Sequence, residues 1–510
     1  MKRTTVLGLL AALCLSAMPA EAQETNDAQK WNQQLKQMQE TFERQQREMK
    51  ENFERLLREQ QAQIDALKKQ VANATNAPAA PAQTNLPAAD AEKKKLEQEL
   101  AAQLASNLPP AAAQAPGREP SKAWSPSEPI TVARAGSAYM NISFDALMAV
   151  GGSSASDPSQ QLQLGDHDPI KRGFSLRNAE IAVDGAVDPY LKGFGNIVLK
   201  LDKNNETSIE LEETYLQTTA LPENLQAKAG QFFANFGRQN SQHPHQWAFV
   251  DDPLILARAF GPEGLRSIGA QGSWLVPTPF YTEAFLGVFD GQGSTAFSFR
   301  NPGDPVNGVG VDRFHGRATR DNNLNGPGDL VFVPRLASSF ELTDQQTLVV
   351  GVSGALGPNE TGADTRTEIG GVDLYWKWKS AHANAGFPFV SWQTEALYQR
   401  FEAGADPAAG LPAELLRDWG FYSQVLWGFR QRWVAGFRGE YVNGNKGVYD
   451  PNDVFRGERT RFSPDLTFYP SEFSKLRLQY NYDHGAAFGV EHSIWLQVEF
   501  LLGAHGAHKF

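Results

Sequence analysis

The chain has 510 residues, with 47 basic and 58 acidic side chains, a formal net charge of −11, 11% aromatic residues, 45 glycines and one cysteine. The acidic balance argues against nucleic acid as a partner. A lone cysteine, Cys14, excludes a disulfide framework and a cysteine-ligated metal centre.

The first 22 residues have a charged start (Lys2, Arg3), an apolar stretch from Val6 to Ala17 and the small-x-small ending Ala20-Glu21-Ala22. They read as a secretory signal peptide, residues 1–22, cleaved before Gln23. Cys14 falls inside it and follows Leu13 rather than a small residue, so a lipoprotein cleavage site is not expected and the mature chain lacks cysteine. Removing Lys2, Arg3 and Glu21 leaves 45 basic against 57 acidic residues, a net charge of −12. Beyond the signal no apolar run approaches the roughly 18 residues of a spanning helix, so a membrane form must be a barrel. The mean hydropathy of −0.43 fits a barrel, whose lipid-facing apolar residues alternate with polar lumenal ones.

Residues 23–72 form the next segment. From Trp31 to about Val71 the sequence is rich in Gln, Glu, Lys and Arg, and Leu35, Met38, Phe42, Gln45, Met49 and Leu56 keep a 3-4 spacing. Ile64, Leu67 and Val71 continue it after a one-residue shift. The spacing predicts a periplasmic α-helical coiled coil, with a single solvated helix as the plainer alternative. Gln45 and Asn52 at seam positions weaken such a coil but fix its register. Residues 73–136 are Ala/Pro-rich linker with a short helical stretch from Asp90 to about Leu104.

From Ser137 the period changes to two. In the last stretch Ile494, Leu496, Val498, Phe500 and Leu502 alternate with Trp495, Gln497 and Glu499. Alternation and turn residues predict sixteen strands: 137–147, 174–187, 191–202, 208–218, 225–233, 265–276, 280–290, 332–341, 346–355, 366–379, 388–402, 418–430, 432–442, 459–469, 473–483 and 491–502. Short connections (188–190, 277–279, 343–345, 431, 470–472) alternate with long ones such as 148–173, 234–264 and 291–331. An even strand number with short turns on one edge and long loops on the other predicts an all-β transmembrane barrel of antiparallel strands over 137–510. The hairpin around 203–207 is short for its side, and adjacent Glu212 and Glu213 break the alternation of the strand after it. Trp427, Phe429 and Trp433 flank one tight turn and Phe468, Tyr469 and Phe473 another, as aromatic girdles do. Phe510 offers the terminal aromatic by which such barrels engage their assembly machinery.

Three motifs carry a resemblance: Gly173-Phe174-Ser175-Leu176-Arg177-Asn178-Ala179, Glu212-Glu213-Thr214-Tyr215-Leu216, and Gly230-Gln231-Phe232-Phe233-Ala234-Asn235-Phe236-Gly237-Arg238. In order and spacing, over about 370 residues, they resemble the phosphate-selective porin O/P family. The resemblance implies a signal peptide and coiled coil ahead of a sixteen-stranded, usually trimeric, outer-membrane porin, with the loop after the third motif folded into the barrel.

A barrel of about sixteen strands leaves an aqueous channel, so something must set its selectivity. The expected pore constriction is the 234–264 loop with Arg238, His243, His245, Asp251, Asp252, Arg258 and Glu263. Lumen-facing charge on the predicted strands is mixed: Arg461, Lys475 and Arg477 against Asp465, Asp483, Glu499 and Glu210. No cluster of lysines and arginines stands out on the predicted lumenal faces. His243-Pro244-His245 near Asp251-Asp252 has ligand types suited to zinc, but it lacks a third fixed ligand; a polar loop whose histidines bond to the wall is the expected reading, with no metal. The C-terminal His505 and His508 are discounted likewise. Asp321-Asn322-Asn323 with Asn325 and Asp329 lacks the glycine and terminal Glu of a calcium loop. No hydrolase, phosphate-loop or zincin motif appears, so neither an enzyme nor a cofactor is expected. The expected function is passive diffusion of small hydrophilic solutes or ions, with anions such as phosphate as one option. The alternative is an outer-membrane anchor or adhesin whose coiled coil tethers a cell-wall or protein partner.

Overall fold

The computed structural model describes residues 129–510, except 163–164, 302–303, 306–311, 321–323, 446, 449–456, 487 and 504–510. The expected signal peptide, the coiled coil, the linker helix and Phe510 lie outside the described residues.

The strands are β1 Ile130–Ala135, β2 Ala138–Ser153, β3 Gly173–Ala186, β4 Leu191–Leu201, β5 Thr207–Thr218, β6 Leu225–Phe233, β7 Arg266–Leu275 and β8 Tyr281–Phe289. After them come β9 Asp304–Pro305, β10 Asp312–Phe314, β11 Arg317–Ala318, β12 Val331–Thr343, β13 Gln346–Pro358 and β14 Arg366–Asn384. The last six are β15 Phe387–Ala403, β16 Glu414–Arg430, β17 Trp433–Gly444, β18 Arg459–Ser471, β19 Ser474–Gly485 and β20 Gly489–Leu502. Among the described residues two short α-helices, α1 Pro158–Gln161 and α2 Leu254–Phe260, lie in loops.

Each strand from β2 to β8 and from β12 to β20 pairs antiparallel with its neighbour, and β8 pairs with β12. The ring closes because β20 returns to β2, with Phe144 opposite Leu502 and Ser153 opposite Ser493. The result is a closed sixteen-stranded antiparallel barrel, and all sixteen predicted strands are present. Closure removes the two free edges that an open sheet would present to hydrocarbon. The short β9, β10 and β11 form a separate three-stranded sheet within the 290–330 connection.

β1 lies within the stretch read as linker. Ile130 pairs with Ile142 and Ala135 with Ala138, so β1 extends the cover of the β2 edge that β20 occupies from Phe144 onward. The run is short, its register shifts between Thr131 and Ala133, and it follows Pro129, which together masked it. The β14–β15 hairpin also runs further than predicted, to a turn at Ala385 and Gly386 with φ of 47° and 88°. Positive φ at both central residues matches the twist of a two-residue hairpin turn.

Side chains alternate between two solvents. On β19 and β20, Leu476, Leu478, Tyr480, Ile494, Leu496, Val498 and Phe500 are exposed outward, while Lys475, Arg477, Gln479, Asn481, Gln497 and Glu499 are buried inward. The outer surface therefore carries an apolar band, and exposed aromatics sit towards its two ends: Tyr190, Trp274, Tyr281 and Trp427 at the short-turn end, Phe174, Trp419 and Phe462 towards the other. Such girdles suit the two headgroup levels of a bilayer. Tyr469 departs from the expected girdle, packing inward against the cluster of Phe387, Phe389 and Val434.

Candidate functional site

One irregularity of the wall prepares the site. Asn196 pairs with Glu213 and the next residue, Ile197, pairs with Leu211, so Glu212 is an extra residue in β5. A β-bulge of this kind re-aims side chains. Both Glu212 and Glu213 are consequently buried on the inner side, at 1% and 6% exposure. The adjacent acids that make this strand look doubtful in sequence are the bulge itself.

The connection between β6 and β7 is built into the barrel. Gly237 has φ of +59°, and a Cβ there would meet Glu395 Oε2 at 2.0 Å. The Gly237 amide donates to Ser353 Oγ at 3.0 Å, and the Arg238 and Gln239 amides donate to Glu395 Oε1 at 3.1 and 2.8 Å. Glycine at 237 thus lets the chain run against the far wall and hand its amides to one carboxylate. Further on, every residue of α2 is buried. Phe236, Leu254, Ile255, Leu256, Ala259 and Phe260 share a cluster with the wall residues Val331, Val333, Ala355, Ile369, Leu397, Tyr422 and Val442. Each fully buried Leu, Ile or Phe contributes about 1.5–3 kcal/mol, so the loop is held by a core of its own. Glu440 accepts from the Leu254 amide at 2.7 Å, satisfying an open donor at the start of α2 with negative charge. Gly261, φ +78°, ends the helix.

Charge fixes the loop in register. The two carboxylate oxygens of Asp251 accept from Arg438, from Gln479 Nε2 at 2.9 Å, from Arg461 Nη1 at 3.2 Å and from Asn481 Nδ2 at 2.7 Å. Burial would push the Asp251 carboxyl up, but the two guanidiniums beside it hold it below the usual carboxylate range. Asp252 has only Arg438 to help it, and burial and the facing Asp168 carboxylate push its carboxyl well up. Arg258 donates to the Gly457 carbonyl at 2.9 Å and lies 3.8 Å from Asp418. Glu263 sits beside Lys200 and Arg266, at 3.3 and 3.4 Å, in a wall-side cluster that also holds Asp166, Arg177 and Glu210. The predicted lumenal charges are inward and paired: Arg461 with Asp483 at 2.8 Å, Lys475 with Glu499, and Arg477 with Asp465 at 3.7 Å.

The two loop histidines do not meet Asp251 and Asp252. Their rings stack at 5.7 Å and 14° beside four wall carboxylates. His243 Nδ1 lies 2.9 Å from Glu212 and 3.8 Å from Glu180, and its Nε2 lies 2.9 Å from Glu213. His245 Nδ1 lies 2.9 Å from Asp145 and 3.4 Å from Glu180. Burial favours the neutral imidazole, yet the hydrogen bonds and charges of Asp145 and Glu180 raise His245 to about 9, and the Glu180, Glu212 and Glu213 carboxylates raise His243 well above its ordinary value. Asp145 and Glu180 were missed in sequence because β2 and β3 lie far from the loop along the chain; inward position on a predicted strand was the one available signal.

A second arrangement also depends on tertiary placement. Arg238 stacks on the Tyr375 ring at 4.0 Å and donates from Nε to Gln393 at 3.1 Å, both neutral partners. It stands within electrostatic reach of Lys377, which in turn feels Lys379. The sequence shows no cationic group on a lumenal face because its members come from a loop and from β14. Beside them a cavity of about 140 Å³ opens between the loop and the wall, lined by Arg238, Gln242, Gln246, Tyr375, Gln393 and Gln424 among others.

No family model matches the sequence. Among solved structures, the outer-membrane channel DcaP of Acinetobacter baumannii shares 12% identity at a TM-score of 0.47, with 72% of this chain and 97% of that chain covered. The anion-selective porin from Comamonas acidovorans shares 6% at 0.45, covering 72% and 100%, and Pseudomonas putida OprB shares 10% at 0.43, covering 71% and 94%. A protein of Aquifex aeolicus (strain VF5), described as uncharacterized, is 30% identical over 365 residues, which make up 67% of this chain and 71% of its own length. The chain belongs to the same family as this Aquifex aeolicus protein.

Proposed function

We propose that the protein is an outer-membrane diffusion channel through which small hydrophilic solutes pass, with a preference for anions. The observation that carries this reading is a closed sixteen-stranded barrel, apolar outside, whose interior is crossed by a charged loop that leaves a cavity edged by Arg238. Sixteen strands enclose more space than wall side chains fill, and the loop takes up part of it. Most interior charges are paired and cancel at a distance, whereas Arg238 and Lys377 lie against the neutral rings of Tyr375 and Phe389, with Lys379 near Lys377. Charge of one sign along a low-dielectric wall raises the local concentration of the opposite ion. Guanidinium also suits bidentate contact with phosphate, which supports phosphate among the solutes.

In this reading residues 1–22 direct export, 23–72 form a periplasmic coiled coil, 73–136 link it to the barrel, and the protein works as a homotrimer. The test is planar-bilayer recording of the purified protein. Stepwise conductance is expected, with a reversal potential of the anion-selective sign under asymmetric potassium chloride, and replacement of chloride by phosphate on one side measures the preference between them. A folded, inserted barrel that carries no current, or one selective for potassium, would reject the proposal.

A further inference from the structure

The carboxylates and histidines at the loop's contact with β2, β3 and β5 are organised for more than ion pairing. Asp145, Glu180, Glu212 and Glu213 are all buried, as are His243 and His245. Two sets, Asp145 with Glu180 and His245, and Glu180 with Glu212 and His243, each bring three ligand atoms within 4.8 Å of one another. The sets share Glu180. Ligand atoms about 2.0–2.2 Å from a tetrahedral zinc lie about 3.3–3.6 Å apart; in the first set His245 Nδ1 is 2.9 Å from Asp145 and 3.4 Å from Glu180. Supporting amides orient the carboxylates, since Asn178 donates to the second oxygen of Asp145 at 3.1 Å and Asn196 donates to Glu212 at 2.7 Å. Such outer hydrogen bonds accompany metal ligands and hold them in place.

The kind of cation facing each carboxylate group separates this cluster from its neighbour. Asp166, Glu210 and Glu263 also converge, but Arg177, Lys200 and Arg266 lie against them. Three permanent cations neutralise those three acids and repel a metal ion. Here the partners are imidazoles: His243, His245 and His167, whose Nε2 lies 3.3 Å from Glu212. Imidazole exchanges its proton for a metal, which ammonium and guanidinium do not.

We propose that Glu180, together with His245 and Asp145 or His243 and Glu212, binds one divalent transition-metal cation of the zinc class and staples the loop to the barrel wall. Mixed imidazole and carboxylate ligation suits zinc and its neighbours better than calcium or magnesium. The site stands whether or not solute passes the barrel, because it is measured in detergent without a current.

The test strips the full-length protein with chelator and dialyses it against zinc, with metal content by mass spectrometry and folding checked by heat-modifiable gel mobility. About one zinc per chain is expected, retained when His505→Ala and His508→Ala remove the tail histidines. Glu180→Gln should weaken binding at least tenfold while the barrel stays folded, and so should one of His245→Gln and His243→Gln, which tells the two ligand sets apart. X-ray absorption at the zinc edge of the unaltered protein should show imidazole scattering beside oxygen, a result that needs no variant to fold. Folded protein that takes up no zinc, an all-oxygen shell, or unchanged affinity in His243→Gln/His245→Gln would overturn the proposal.

Discussion

Asp251→Asn is the substitution that most directly asks whether charge holds the loop across the barrel. The side chain keeps its shape, so the backbone need not move, but the carboxylate charge is lost and one acceptor oxygen becomes a donor amide. That amide must then face Arg438 with Gln479, or Arg461 with Asn481, all of them donors to Asp251. Asp251 is 4% exposed, so water does not replace what is lost. Removing one partner of a buried charge network costs about 3–5 kcal/mol. Arg461 keeps Asp483 and Arg438 keeps Glu440, which places the expected cost at the lower end, about 3 kcal/mol. At about 1.4 kcal/mol per tenfold, the loop's undocked population should rise on the order of 100-fold. The packed α2 and the histidine contacts remain, so the loop should loosen locally rather than leave. In single-channel recordings the variant should show a higher mean conductance and added open-channel noise, and gel mobility should show a lower unfolding temperature. Identical conductance, noise and unfolding temperature would show that the Asp251 network does not secure the loop.

Gly237→Ala places a methyl against Glu395 in a left-handed backbone conformation; a cost of about 1–2 kcal/mol should appear as faster proteolysis within 234–265. Lys377→Gln should move the reversal potential towards the cation side while changing conductance little, and an unchanged potential would remove the β14 lysines from the selectivity argument. Leu478→Arg puts a charge on the outward face of β19, where about 2–4 kcal/mol is expected near the membrane midplane, read as a lower unfolding temperature in lipid. Asp168 supplies a pH dependence: burial first, and then repulsion from Asp251, push its carboxyl up to about 6, against help from Arg461 and from the Asp252 and Gly165 amides. A raised folded-state value means that the folded protein holds more protons, so stability falls as pH rises from about 4 to 6, by up to about 3 kcal/mol. Asp168→Asn should flatten that slope in unfolding temperature against pH.

The barrel was legible because its determinants are local. Period-two alternation, turn residues and strand length recur in each segment, and a closed sheet needs little else to be recognised from one chain. Exceptions had local causes as well: β1 is too short to stand out, and the Glu212 bulge disguises the register of β5. The loop's importance was also readable from its length and charge. Its partners were not. His243 and His245 looked towards Asp251 and Asp252 in sequence because those acids are nearest along the chain, whereas the fold sends them to different stretches of wall: Asp251 to Arg438, Arg461, Gln479 and Asn481, the histidines to Asp145, Glu180, Glu212 and Glu213. Spacing along a loop says little about which strands it will meet.

That division follows from what a barrel interior can offer. An outward side chain must be apolar whatever its neighbours, so its role shows in the pattern alone. An inward side chain has two acceptable fates, water or a partner on the loop, and the pattern is polar in both. The loop chooses between them by matching each segment to a wall of complementary character: the acidic Asp251 to guanidiniums and amides, the apolar α2 to Val331, Ile369 and Leu397, the imidazoles to carboxylates. Arg238 is the segment matched to neutral groups instead, on Tyr375 and Gln393. Among the described residues no carboxylate forms an ion pair with the Arg238 guanidinium, so its field reaches whatever enters the adjoining cavity, which is why the selectivity argument rests on that side of the loop and the anchoring argument on the others.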